Sequence, residues 1–140
     1  MLTIHVKSIY EAPEKKDGFR LLTDRCLPRK LNQESLHTDK WIREMAPSPS
    51  LRIWFKHHPE QWDAFCRSYL IEIRLNDTAG TFTRCCRQHK TITLLYSSPD
   101  KNHNHAIILR FFLEWLQKNK WSPSFRYASW QYPAQNGTPQ

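Results

Sequence analysis

The sequence predicts one small α/β domain, built on a short, mostly parallel, buried sheet flanked by helices. Three observations lead there. Strand-like and helix-like runs are mixed along the chain rather than segregated. The segment Thr91 to Tyr96 is a compact apolar run rich in β-branched residues, as an interior strand requires. Finally, 140 residues with 39% apolar content, six Trp, seven Phe and five Tyr suit a single core rather than two.

The elements follow in order. Leu2, Ile4 and Val6 alternate with Thr3, His5 and Lys7, the period of a half-buried strand that extends to Ile9. Pro13 and the Asp17-Gly18 pair mark a turn into a second strand, Phe19 to Thr23, which ends at Asp24. Residues 25–40 have no clear period and are expected to form an ordered loop with at most a helical turn. Ser48-Pro49 begins a helix, serine accepting from a free amide and proline filling the first helical position. His57-His58-Pro59 interrupts it, with His57 as a cap. Pro59 then opens a helix in which Trp62, Phe65, Cys66, Tyr69, Leu70 and Ile73 share one face. A short helix capped by Asp77 or Thr78 follows, buried along Phe82, Cys85 and Cys86. The strand Thr91 to Tyr96 is expected at the centre of the sheet. A helix from about Asn102 to Lys120 presents Ile108, Phe111, Phe112 and Trp115 to the core. The expected organisation is a domain over 1–120 and an extended aromatic and polar tail over 121–140, of which Phe125, Tyr127 and Trp130 are able to pack on the body.

Composition narrows the function. Three separated glycines cannot supply a dinucleotide fingerprint or a Walker loop, and no cofactor is expected. The formal charge of +8 is spread along the chain without a basic block, which attracts polyanions or phosphorylated ligands without selecting among them. The N-terminal alternation reads as a strand rather than a signal peptide, and the apolar run Ala106 to Leu116 is too short to span a bilayer. A cytoplasmic protein with reduced thiols and no membrane association is therefore expected.

Four constellations carry possible chemistry. Asp24-Arg25 with Arg29 lies where a buried strand ends, the edge at which open α/β sheets hold ligands; it reads as an anion clamp or as an Asp–Arg pair tying down a loop. Tyr96-Ser97-Ser98 to His103-Asn104-His105 runs from a strand end into a helix N-terminus and reads as an anion site or as ordinary capping by Asp100 or Asn102. Cys85-Cys86-x-x-His89 lacks the spaced pairs of a structural zinc site, and no metal is expected. Cys26, beside cationic residues, is either a reactive thiol or a buried inert one.

A family resemblance emerges from the ordered motifs. Asp24-Arg25 with Pro28-Arg29, Trp41, Ala46-Pro47-Ser48, Leu51-Arg52-x-Trp54-Phe55-x-His57, Trp62 with Phe65, Tyr69, Leu94-Leu95-Tyr96-Ser97 and His103-Asn104-x-Ala106 together resemble the small bacterial YeaO-like proteins, a family of unknown function. The resemblance covers roughly Leu2 to Leu116. It implies a cytoplasmic bacterial α/β domain and supplies no reaction, cofactor or catalytic residue. The chain departs from the pattern at Cys26 and Leu27, where the family usually has Leu-Trp, and at Lys30, where it usually has Gly; these changes are expected to alter the turn and to remove a stacking surface.

The leading expectation is a pocket that holds a phosphate- or carboxylate-bearing ligand at the carboxyl edge of the sheet, whether or not it turns the ligand over. Arg25 and Arg29 would bind the anion together with Tyr96, Ser97 and Asn104. If the protein is an enzyme, His103 is the candidate acid or base and Asp24 the orienting or activating carboxylate. The alternatives are a nucleic-acid-binding module using Trp121, Tyr127 and Trp130 for stacking, or a protein-interaction domain in which removal of the tail leaves the body folded. Oligomeric state is left open.

Overall fold

A computed structural model describes residues 1–130 and 132. Four strands, β1 (Thr3–Ser8), β2 (Phe19–Leu22), β3 (Lys40–Trp41) and β4 (Thr91–Tyr96), form one sheet in the order β1-β4-β2-β3, and every pairing is parallel. β4 is hydrogen-bonded on both sides, which its apolar content anticipates. Because all four strands run the same way, their carboxyl ends at Ser8, Leu22, Trp41 and Tyr96 lie along one edge. The helices are α1 (Pro49–His57), α2 (Trp62–Leu75), α3 (Ala79–Arg87) and α4 (His105–Lys118).

The two faces of the sheet are covered differently. Leu21, Ile92, Leu94 and Tyr96 join the main core with the buried sides of α2, α3 and α4. All six α2 residues that share a helical face in the sequence are buried. Strand alternation sends Leu22 and Leu95 to the opposite face, where Ile9 and Leu36 complete a small second core and Leu27, Leu31 and Trp41 pack against it. Beside that core sits a buried ionic cluster. Asp17 accepts from Lys7 Nζ at 3.1 Å and from an Arg20 guanidinium nitrogen at 2.5 Å, and Arg20 also donates to the carbonyls of Leu36 and His37 at 2.9 and 3.0 Å. These bonds fasten the 25–40 loop across the face that no helix covers. Burial disfavours the charge on Asp17, but the Glu14 amide, Lys7 and Arg20 together hold its carboxyl below the ordinary value.

Several boundaries move from their expected places, each for a local reason. β3 lies in the segment expected to be loop, since a two-residue strand is too short to display alternation. α2 begins at Trp62 rather than Pro59, after a turn closed by the Gln61 amide on the His58 carbonyl. α4 begins at His105 because Asn104, rather than Asp100 or Asn102, accepts from the Ile107 amide. His58, not His57, places its Nδ1 2.9 Å from the Trp54 carbonyl at the end of α1. Cys86 enters the core while Cys85 is half-buried, and His89 stacks on Phe19.

Beyond α4 the chain folds back rather than extending. Ser122 and Pro123 start a 3-10 turn, Pro123–Tyr127, that buries Phe125. Trp130 lies edge-on to Phe112 and Trp115, each with ring centroids 5.5 Å apart. Arg126 donates to the Arg74 carbonyl and Arg74 to the Ala128 carbonyl, at 2.7 and 2.8 Å, cross-tying this segment to α2. Phe111 and Trp115 of α4 are only half-buried in consequence, because their partners are Tyr132 and Trp130 rather than the sheet. Residues 131 and 133–140 of the expected tail lie outside the described residues.

Candidate functional site

The carboxyl edge of the sheet opens into a cleft of about 520 Å³, within the range of small-molecule sites. Its walls come from the β2 exit (Asp24, Arg25, Cys26), the β4–α4 connection (Ser97 to His105) and α1 (Arg52, Phe55, Lys56). Phe55 stacks on Phe65 at 4.2 Å, giving the cleft an aromatic floor continuous with the core.

Asp24 is fixed by both strands and by β3. Its carbonyl accepts from Trp41 Nε1 at 2.6 Å, and its Oδ2 accepts from the Ser97 amide at 3.1 Å. The Asp24 side chain is buried, and its Oδ1 makes no hydrogen bond among the described residues. The nearest charge partner is His105 Nε2 at 3.2 Å. Arg25 does not pair with Asp24; it reaches across the cleft mouth to the carbonyls of Ala46 and Pro47 at 3.3 to 3.4 Å. Its charge is therefore held by neutral acceptors. Among the described residues, Arg25, Arg52 and Lys56 have no carboxylate within ion-pair distance.

Two histidines face this cleft, each tied at one ring nitrogen. His103 Nδ1 lies 3.1 Å from Asp100 Oδ2, and its ring meets the edge of Trp62 at 5.1 Å between centroids. Burial works against ionisation of Asp100, but hydrogen bonds from Asn102 and His103 hold its carboxyl below the ordinary value. His105 Nε2 lies 2.8 Å from Thr23 Oγ1 and 3.1 Å from the Thr23 carbonyl. Thr23 Oγ1 donates its own proton to the Leu95 carbonyl at 2.7 Å, so both Thr23 oxygens act as acceptors and Nε2 carries hydrogen. Nδ1 of His105 then has a lone pair and, among the described residues, no partner.

The structure thus brings Asp24, Arg25, Ser97, His103 and Asn104 to one cleft. Asn104 is spent there on structure, since it caps α4 and donates to the Asp100 carbonyl at 3.0 Å. Two expected residues lie elsewhere. Arg29 is exposed beyond the cleft wall, carried off by the turn after Pro28. Tyr96 turns its ring to the opposite side of the β4–α4 connection, lining a second hollow with Glu11, Lys101 and Arg110. Cys26 is exposed at the rim, whereas burial pushes the Cys66 and Cys86 thiols up. Arg52, Lys56 and His105 are site residues that the motif reading passed over. The signals were the i, i+4 spacing of Arg52 and Lys56 on α1 and the helix cap at Asn104, which makes His105 the first helical residue and aims it back at the sheet edge.

The family's usual glycine position is informative. Lys30 adopts φ 72°, the left-handed conformation that glycine occupies without strain, so the turn survives the substitution. Leu27, where the family usually has Trp, packs on the second core rather than lining the cleft.

A parallel α/β domain with a cation-walled cleft at the strand ends is the class that fold and site define. Within that class the chain belongs to the DUF488-N3i family, described as the inactive DUF488-N3 subclade, whose model matches residues 3–127. It is similar to the uncharacterized protein YeaO of Escherichia coli (strain K12), with 32% identity over 116 residues, 83% of this chain and 98% of the relative. It is also similar to the uncharacterized protein Rv3073c of Mycobacterium tuberculosis (strain ATCC 25618 / H37Rv), with 36% identity over 107 residues, 76% of this chain and 89% of the relative. No solved structure matches the chain. No described helix is long and apolar enough to cross a membrane.

Proposed function

We propose that this protein binds a small anionic ligand, phosphate- or carboxylate-bearing, in the cleft at the carboxyl edge of its sheet. The observation that carries the reading is the convergence of Arg25, Arg52 and Lys56 on one concave site without an ion-paired partner among the described residues. Cations left unpaired around a partly apolar hollow attract an anion more strongly than the same charges spread over a convex surface. Ser97 and the cleft-facing Nε2 of His103 supply further polar contacts. The description of the family as an inactive subclade favours binding without turnover. In a catalytic version His103, backed by Asp100, would move the proton and Asp24 would act by orienting His105.

The test is thermal unfolding of the full chain with phosphate, sulfate, citrate and nucleotides, for wild type and Arg25→Ala. A midpoint that rises with ligand concentration in wild type and stays flat in the variant is expected. An unresponsive wild type would rule the reading out. The nucleic-acid alternative retains less support, because Trp130 packs into the core and Trp121 lies under Arg87 at 4.9 Å, leaving Tyr127 as the exposed ring of the three.

A further inference from the structure

We infer that the ligand of this cleft is a phosphate ester that also carries a free hydroxyl, such as a sugar or polyol phosphate, and that the hydroxyl donates to Nδ1 of His105. The inference rests on the anion-binding reading and specifies what else the ligand contains. Its basis is the fixed tautomer of His105. Thr23 presents only acceptors to Nε2, at 2.8 and 3.1 Å, so the ring hydrogen is held on that side and the lone pair is left on Nδ1. Asp24 supplies the second, independent observation. Its buried Oδ1 has no hydrogen-bond donor and sits 3.2 Å from the same Nε2, a carboxylate placed behind an imidazole as in sites where the outer group sets ring orientation and basicity. A ring held this firmly, with an unpartnered acceptor at a cleft it lines, fits a donor on the ligand.

The charge of the cleft decides what kind of donor that is. Arg25, Arg52 and Lys56 would repel an ammonium group, whereas a hydroxyl is neutral and can sit next to a phosphate on the same molecule. The aromatic floor at Phe55 suits the apolar face of a sugar ring. A bare phosphate or sulfate would satisfy the cations and leave His105 Nδ1 without a partner.

Isothermal titration of the full chain with ribose 5-phosphate, methyl phosphate and inorganic phosphate separates the two levels of the reading. Wild type is expected to bind ribose 5-phosphate about tenfold more tightly than methyl phosphate, the size of one net hydrogen bond. His105→Gln is expected to bring the two affinities together while methyl phosphate binding changes little. The imidazole ¹⁵N resonances of wild type give a check that needs no variant: His105 Nδ1 should shift with ribose 5-phosphate and stay in place with methyl phosphate. Equal wild-type affinities for the two esters would overturn the hydroxyl inference and leave anion binding standing. A preference that persists in a folded His105→Gln protein, or an Nδ1 resonance unmoved by ribose 5-phosphate, would overturn the assignment to His105. Binding of none of the three ligands would overturn both readings.

Discussion

Asp17 shows how a single buried charge organises a face of the molecule that lacks helices. Lys7 and Arg20 both bond to it, and Arg20 passes the constraint on to the loop carbonyls of Leu36 and His37. Asp17→Asn leaves two buried cations without their counter-ion and is expected to cost about 3 kcal/mol in denaturant unfolding at neutral pH. The pH dependence has a definite sign. The folded-state pKa of Asp17 is depressed, so its contribution is complete above the unfolded carboxyl value near ~3.9 and fades as pH falls through the folded value. Wild type should therefore lose stability on acidification more steeply than Asp17→Asn. Lys7 acts in the opposite direction. Burial alone would lower its pKa, but Glu14 and Asp17 outweigh that and raise it. Its contribution is present below the unfolded lysine value and is lost only as pH rises through the folded one. A second residue-scale prediction concerns Lys30, whose left-handed backbone costs a side chain about 1 kcal/mol. Lys30→Gly should raise stability by up to about that amount, less the entropy glycine loses on folding, measured as a higher denaturant midpoint.

At the scale of elements, the β4–α4 connection does most to shape the site. Asn104 closes the first turn of α4, Asp100 binds the Asn102 and His103 amides, and the Ser97 amide is held by Asp24. Asn104→Ala should cost about 1 kcal/mol as a lost N-cap. It should also weaken anion binding, because the turn that aims His103 and His105 loosens; titration against inorganic phosphate measures that part. The second element that matters is α1, which has no fully buried residue yet places Arg52 and Lys56 over the cleft. Arg52→Ala should therefore leave the unfolding midpoint within about 0.5 kcal/mol of wild type and reduce anion affinity. The reduction should be largest at low ionic strength, where the charges are least screened.

At the scale of the whole molecule, the segment after α4 belongs to the body. Phe125 is 5% exposed, and Trp130 fills the space beside Phe112 and Trp115. Truncation after Lys120 removes both aromatic rings together with the Arg74–Arg126 cross-ties. It is expected to destabilise the chain by at least about 3 kcal/mol, seen as a lower thermal midpoint and loss of near-ultraviolet dichroism, rather than leaving an intact domain without its tail. The measurement also bears on the interaction alternative, since a segment required for folding is poorly suited to act as a detachable partner-binding arm.

Local pattern accounts for much of this architecture. The alternation at Leu2 to Val6, the apolar run of β4 and the six-residue stripe of α2 each report burial within one element, and burial of that kind repeats along the chain with a fixed period. The polar edge was legible too, because Asp24 and Ser97 directly follow strands that must end together in a parallel sheet. The partnerships across that edge were not. Whether Arg25 meets Asp24 or the Ala46 carbonyl, whether Tyr96 faces one hollow or the other, and whether α1 carries Arg52 over the cleft all depend on contacts between segments tens of residues apart, which leave no periodic trace. His105 is the clearest instance. Its tautomer follows from Thr23, 82 positions away in the chain, and only the packing of α4 against the ends of β2 and β4 brings the two together.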